Sequence, residues 1–261
     1  MFKTLVTLLS LVTFSVFQFA FATQNFALIK ERAQLADATY IVSASDEQLE
    51  KHLTQMGHEL IHQAVIPRSQ VSYFLTLKEG VQTIAIRGTA NAENVMLDLD
   101  LALQPDPKLN ILLHQGFAAA ARAVFENVKP YLKTDKKVQT TGHSLGGAVA
   151  VILAMYLQQD ESYQFDQVIS FGQPKVTNVA GANRFETLAL TRVVTPQDIV
   201  PLVPPLSPLQ IQDLDIYWHM GEEVILMGDK EYAQTNGLKS MLRATKFTSA
   251  LPNEDNVLAH Q

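Results

Sequence analysis

Short apolar runs of strand length alternate along this chain with longer stretches in which apolar residues return every three or four positions. Residues 137–141, Lys-Val-Gln-Thr-Thr, read as a short buried strand. Residues 148–157, Ala-Val-Ala-Val-Ile-Leu-Ala-Met-Tyr-Leu, read as a helix that is apolar all round and therefore buried. Residues 71–77 and 81–86 predict two strands joined as a hairpin through Lys78-Glu79-Gly80, and residues 166–171 and 190–195 predict two more. Upstream, Leu28, Ile29, Leu35, Ala36 and Tyr40 fall close to helical spacing, and a second helix is predicted to start at Asp46. A break at Pro105-Asp106-Pro107 precedes an alanine-rich helix that His114 starts and Pro130 ends, which gives His114 a structural role. Strands separated by helical stretches in this order imply an α/β fold with a mostly parallel central sheet and helices on both faces.

Between the strand at 137–141 and the helix at 148–157 stands Gly142-His143-Ser144-Leu145-Gly146-Gly147. A Gly-x-Ser-x-Gly turn at a strand-to-helix junction is the nucleophile elbow of α/β-hydrolases. The turn is sharp enough to strain the serine backbone, and the flanking glycines let strand and helix approach closely. Ser144 is thus the candidate nucleophile, and the Leu145 amide, at the N-terminus of the helix, is a candidate oxyanion donor. The second donor in this fold comes from the loop after the third strand, where Arg87-Gly88-Thr89 places the Thr89 amide and hydroxyl. Ala92, Val95, Met96 and Leu99 then recur at helical spacing, predicting a short amphipathic helix beside the active site, a candidate lid.

The chain has 261 residues, 47% of them hydrophobic, enough for one large core, and no linker or repeat divides it. Met1-Phe2-Lys3 leads into an apolar run ending at Ala20-Phe21-Ala22, so residues 1–22 read as a cleaved signal peptide and 23–261 as a single domain. An uncleaved membrane anchor is the competing reading, and the small-x-small end favours cleavage. Cleavage removes Lys3 and no acid, moving the formal charge from -6 to -7. Acidity argues against nucleic acid or anionic membranes as electrostatic partners. With no cysteine the exported, secreted or periplasmic chain carries no disulfide, thiolate nucleophile or lipid attachment site. His52, His58 and His62 invite a metal reading, but only His58 and His62 share a helix face, so no metal site is assigned.

Topology selects the acid of a catalytic triad. Asp160 ends the elbow helix and Asp166 begins the next strand, both at the sheet edge opposite Ser144, whereas Asp198 follows the C-terminal end of its strand. The histidine of such hydrolases follows the acid in the chain, which leaves His219 and His260. His219 sits in Ile216-Tyr217-Trp218-His219-Met220, a run that suits a strand at the sheet's far end. His260 follows the turn-rich Pro252-Asn253-Glu254-Asp255-Asn256, a better setting for a catalytic residue. His143, in the strained turn, is expected to point elsewhere.

Arg87-Gly88-Thr89, His114-x-Gly116-Phe117, Gly142-His143-Ser144-Leu145-Gly146-Gly147, Phe171-Gly172-Gln173-Pro174 and Asp198-Ile199-Val200-Pro201 together resemble the class 3 lipases, which include the secreted fungal triacylglycerol lipases. The resemblance runs from about Val71 onward. It implies an α/β-hydrolase fold with a short helical lid, and carboxylic ester hydrolysis with no cofactor. It also implies a triad of Ser144, Asp198 and His260, oxyanion donors Thr89 and Leu145, and a structural role for the element containing His219. Many members carry a lid tryptophan where this chain has Val95, and most continue with an aromatic-containing segment past the residue matching His260. Either the sequence is truncated after Gln261 or His260 is held by fewer contacts. The implied partner is a lipid or ester substrate at an oil–water or membrane interface, with no nucleic acid and no obligatory protein partner. Triacylglycerol, the sn-1 ester of phospholipids and short soluble esters all suit the chemistry. A non-catalytic binding protein on the same fold is the alternative from another class.

Overall fold

A computed structural model describes residues 25–41, 46–67, 71–89, 102–196, 198–204 and 216–226. Residues 1–22, the lid positions Ala92, Val95, Met96 and Leu99, and His260 lie outside these. The described elements are α1 (Phe26–Ala38), α2 (Asp46–Gln55), β1 (Glu59–Ile66), β2 (Val71–Lys78), β3 (Val81–Ile86), β4 (Leu103–Asp106), β5 (Ile111–His114), α3 (Gln115–Val128), β6 (Lys137–His143), α4 (Leu145–Gln159), β7 (Gln164–Phe171), β8 (Thr177–Asn178), α5 (Val179–Arg184), β9 (Leu190–Val194), β10 (Tyr217–Trp218) and β11 (Glu222–Ile225).

The central sheet has seven strands in the order β1-β2-β3-β6-β7-β9-β11. Its first two pairings are antiparallel and the remaining four, from β3 through β11, are parallel. Helix α4 is buried from Gly146 through Leu157, because one side lies on the sheet and the other beneath α3. Helix α1 covers the opposite face, packing Ile29, Ala33 and Ala36 against Ile169, Phe171 and Val193. Each such fully buried aliphatic or aromatic side chain contributes about 1.5–3 kcal/mol relative to exposure, so the core is concentrated around the three strands that deliver the site.

Two expectations are corrected. His58 and His62 do not share a helix face. Gly57, at φ 78°, ends the helical run after α2, and the chain turns into β1, which pairs along β2. His58 contacts the Glu31 carboxylate through Nε2 at 3.1 Å and Thr76 Oγ1 through Nδ1 at 3.2 Å, while His62 stacks on Tyr131 at 3.6 Å. The Pro105-Asp106-Pro107 stretch is more than a break, because Pro105 lies in β4, an outer strand of a second, four-stranded sheet ordered β10-β8-β5-β4. Asp106, almost fully buried, anchors that sheet to the helical layer. It accepts from the Leu109 amide at 2.9 Å, from Arg122 at 2.7 Å and from the Tyr156 hydroxyl at 2.5 Å. His114 caps α3, accepting from the Phe117 amide at 3.4 Å, as its position before the alanine-rich run implied.

Candidate active site

Three parallel strands bring the site together at their C-terminal ends. In the sheet register His143 pairs with Phe171 and Phe171 with Val193, so the chain leaves β6, β7 and β9 at one level. The next residues are held there by backbone bonds, Ser144 N–H to Phe171 O at 2.8 Å and Gly172 N–H to Val193 O at 2.9 Å. Ser144 itself has φ 55° and ψ -126°. A side chain at positive φ costs of order 1–3 kcal/mol and persists only where surrounding structure imposes it.

The imposing structure is the contact between the elbow and the loop after β3. A Cβ on Gly146 would lie 2.7 Å from the Gly88 amide nitrogen and would collide with the Ile86 carbonyl, and one on Gly142 would lie 2.5 Å from the Gly146 carbonyl. These glycines are required by close backbone approach. Their absence of side chains lets residues 86–88 lie directly on the elbow, with Thr89 next in the chain. Leu145 is the first residue of α4, so its amide has no intrahelical acceptor. Ser144 is buried, and its Oγ has no hydrogen-bond partner among the described residues.

Asp198 is buried on the third strand's exit. Its amide bonds Thr195 O at 3.2 Å, its Oδ1 accepts from the Val200 amide at 2.9 Å, and its Oδ2 lies so close to Gly172 that a Cβ there would collide with it. Ser144 and Asp198 therefore stand on strand ends separated by Gly172, the arrangement that topology implied. His143 lies close by, since its Nε2 is 3.6 Å from the same Cβ position, and its Nδ1 is 3.0 Å from the Tyr40 hydroxyl. Burial depresses its pKa to about 4, so the ring is neutral at ordinary pH.

His219 faces different partners. Its Nε2 donates to the Pro201 carbonyl at 2.6 Å and its Nδ1 is buried without a partner among the described residues. It lines an open depression with Asn183, Glu186, Leu190 and Trp218 rather than with Ser144 or Asp198. The strand before it, β10, pairs with β8 in the second sheet, not with the far end of the central one. A general base needs one ring nitrogen toward the serine and the other toward a carboxylate, and His219 shows neither contact. Burial also pushes its pKa well down.

The two buried imidazoles set an acid-stability limit with a definite sign. A histidine held neutral in the fold binds a proton in the unfolded chain first, so its contribution is complete above pH 6.5 and is lost as the pH falls toward its folded pKa. His143 alone, depressed from 6.5 to about 4, accounts for about 3 kcal/mol over that window. Melting temperature is expected to fall steadily from pH 6.5 to 4.5, before the Glu31 carboxylate, held down to about 2 chiefly by its bond from His58, begins to protonate. A flat melting temperature across that window would show that the imidazoles titrate normally.

Residues 83–207, which contain the loop after β3, the elbow and Asp198, match the family model described as Lipase (class 3). That segment is similar to the class 3 lipases. A secreted mono- and diacylglycerol lipase 1 of Fusarium solani is 34% identical over 158 residues, covering 57% of this chain and 46% of that protein. A lipase of Rhizomucor miehei is 30% identical over 149 residues, covering 52% of this chain and 40% of that protein. The chain thus spans about half the length of the curated relatives it matches. Among solved structures, the Rhizomucor miehei triacylglyceride lipase superposes with a TM-score of 0.65 at 20% identity, covering 88% of this chain and 98% of that one. A triacylglycerol lipase described as having a serine protease triad gives 0.65 at 23% identity, covering 80% and 83%. These likenesses show an α/β-hydrolase fold.

Two residues of the site carry no signal in the hydrophobic pattern. Tyr40 reads as the last apolar position of the helical spacing that begins at Leu28, and Gly172 has no side chain to enter the pattern; each is identified only by the atoms that crowd it.

Proposed function

We propose that this class 3 lipase-family chain is a serine carboxylic ester hydrolase acting on acylglycerols or related lipid esters. The observation that carries the reading is the positive φ of Ser144 at an elbow pressed against the loop that leads to Thr89, with the buried Asp198 carboxylate one strand beyond Gly172. In this reading His260 removes the Ser144 proton as Oγ attacks the ester carbonyl, and Asp198 orients the imidazole and stabilises its charged form. The amides of Thr89 and Leu145 receive the tetrahedral oxyanion. The imidazolium then protonates the departing alcohol, and water repeats the sequence on the acyl-enzyme.

The names of the relatives, secreted mono- and diacylglycerol lipases, support a lipid ester as substrate and export of the chain, with residues 1–22 as the signal peptide and 23–261 as one domain. Labelling by a serine-reactive organophosphonate tests the catalytic reading against a non-catalytic binding protein on this fold. Stoichiometric modification of Ser144 is expected, and an unreacted Ser144 in folded protein would reject it. A series of esters of increasing chain length, assayed below and above their solubility limits, separates a lipase from a short-chain esterase, and a phospholipid substrate separates both from a phospholipase A1.

The apolar stripe Ala92, Val95, Met96 and Leu99 supports a lid that covers the cleft in water and turns outward at a lipid surface, where burial of the stripe offsets the cost of opening. Activity is expected to rise more steeply than simple saturation once substrate forms droplets. Val95→Asp is expected to lower activity on emulsions while sparing dissolved esters. A smooth hyperbola through the solubility limit, with Val95→Asp indistinguishable from the parent, would leave a fixed helix instead.

A further inference from the structure

Tyr40 lies two residues beyond the end of α1, on the far side of the sheet from the core helix α4, yet its hydroxyl reaches into the elbow. There it meets two partners, one on the backbone and one a side chain. The Gly88 amide donates to the phenol oxygen, and His143 Nδ1 lies 3.0 Å from it. A Cβ on Gly88 would collide with both the Tyr40 hydroxyl and the His143 carbonyl, so the three residues are in direct apposition.

The phenol oxygen accepts from Gly88, which leaves its own proton available to His143 Nδ1. In that arrangement Nδ1 is the acceptor and His143 carries its proton on Nε2, the nitrogen near Gly172 that has no hydrogen-bond partner among the described residues. Burial raises the Tyr40 pKa to about 12 and lowers that of His143 to about 4, so phenol and neutral imidazole both persist across the working pH range. The Arg87 guanidinium, 5.6 Å from the centre of the Tyr40 ring, packs against it.

We infer that the Tyr40 hydroxyl is a positioning group for acyl transfer: it ties the Gly88 amide, in the loop that leads to Thr89, to His143, the residue before Ser144, and so holds oxyanion donor and nucleophile in one register. The inference rests on the serine-hydrolase reading above. Gly88 must lack a side chain to approach the elbow, and that same lack leaves its peptide free to rotate. With the Gly88 amide fixed by Tyr40, the following peptide, which carries the Thr89 N–H, is aimed. Oxyanion donors act fully only when pre-set at about 2.7–3.1 Å from the position of the developing charge, so a hydroxyl that touches no substrate still governs the chemical step.

Tyr40→Phe removes the hydroxyl and keeps the ring. Sites are counted by titrating parent and variant to completion with an organophosphonate, and turnover is measured on a dissolved short-chain ester below its solubility limit. The expected result is kcat per titrated site about tenfold to a hundredfold lower, with KM changed by less than about twofold. A purely structural role would lower the melting temperature and the titratable fraction while leaving kcat per titrated site at the parent value, and that outcome overturns the inference. Absence of titration in the parent would instead reject the hydrolase reading beneath it. If Tyr40→Phe yields no folded protein, His143 supplies the second arm. Glutamine at 143 offers an amide oxygen to the Tyr40 proton and leucine offers none, so kcat per site is expected to be at least roughly fivefold higher in His143→Gln than in His143→Leu. Equal values would overturn the inference.

Discussion

Ser144→Ala is expected to leave a folded protein whose kcat on esters is lower by about 10⁵ to 10⁶-fold. In the proposed mechanism the loss of Ser144 removes the acyl-enzyme route and leaves only binding and oxyanion terms, which together give about 10³ to 10⁴ over water. The substitution isolates chemistry from folding for a reason visible in the backbone. Alanine keeps the Cβ and therefore keeps the strain of a φ of 55°, and the Ser144 Oγ makes no hydrogen bond among the described residues whose loss would weaken the fold. The melting temperature should therefore stay close to the parent value. The check is kcat with circular dichroism and melting on the same sample. Substantial turnover by a protein with an intact spectrum and no contaminating hydrolase would eliminate Ser144 as nucleophile.

The parts of the fold that were legible in the sequence are those in which local pattern and tertiary environment agree. Strand β6, the elbow and α4 belong to this group, because a helix apolar on all sides has no stable place except between a sheet and another helix. The placement of Asp198 near the elbow was legible from topology alone, since a carboxylate at the C-terminal end of a parallel strand lies on the same edge as an elbow two strands away. The failures have a common cause in tertiary pairing. His58 and His62 have helical spacing, but Gly57 adopts positive φ and β2 offers a partner for an extended chain. Pro105 looked like a terminator because it lacks a donor, yet an outer strand has one side with no ladder to complete. Tyr40 was read by its ring as an apolar helix position, whereas the position is defined by its hydroxyl, whose partners lie 48 and 103 residues away in the chain.

The general base is the assignment with the sharpest mutational contrast. His260→Ala is expected to lower kcat/KM by about 10⁴ to 10⁶-fold with little change in melting temperature, and His219→Ala to do the reverse. The environment of His219 explains the second half. Its Nε2 holds the Pro201 carbonyl at 2.6 Å, three residues beyond Asp198, and the ring fills space beside Arg192 and Met220. Alanine there would leave a carbonyl unpaired and a void, a loss of about 2–4 kcal/mol that reaches activity only through the Asp198 turn. In the proposed mechanism His260, by contrast, takes up the proton that Ser144 loses, so its removal acts on the transition state. A base must also be neutral to accept that proton. Activity should fall as pH drops through roughly 6 to 7, the range of an ordinary imidazole moved by the Asp198 charge. Because the buried histidines lower stability over part of the same range, the profile must be taken at a temperature where the protein stays folded down to pH 5. A His260→Ala protein with near-normal turnover, beside a folded but inactive His219→Ala, would transfer the role to His219 and require its Nδ1 to turn toward Asp198 during the reaction.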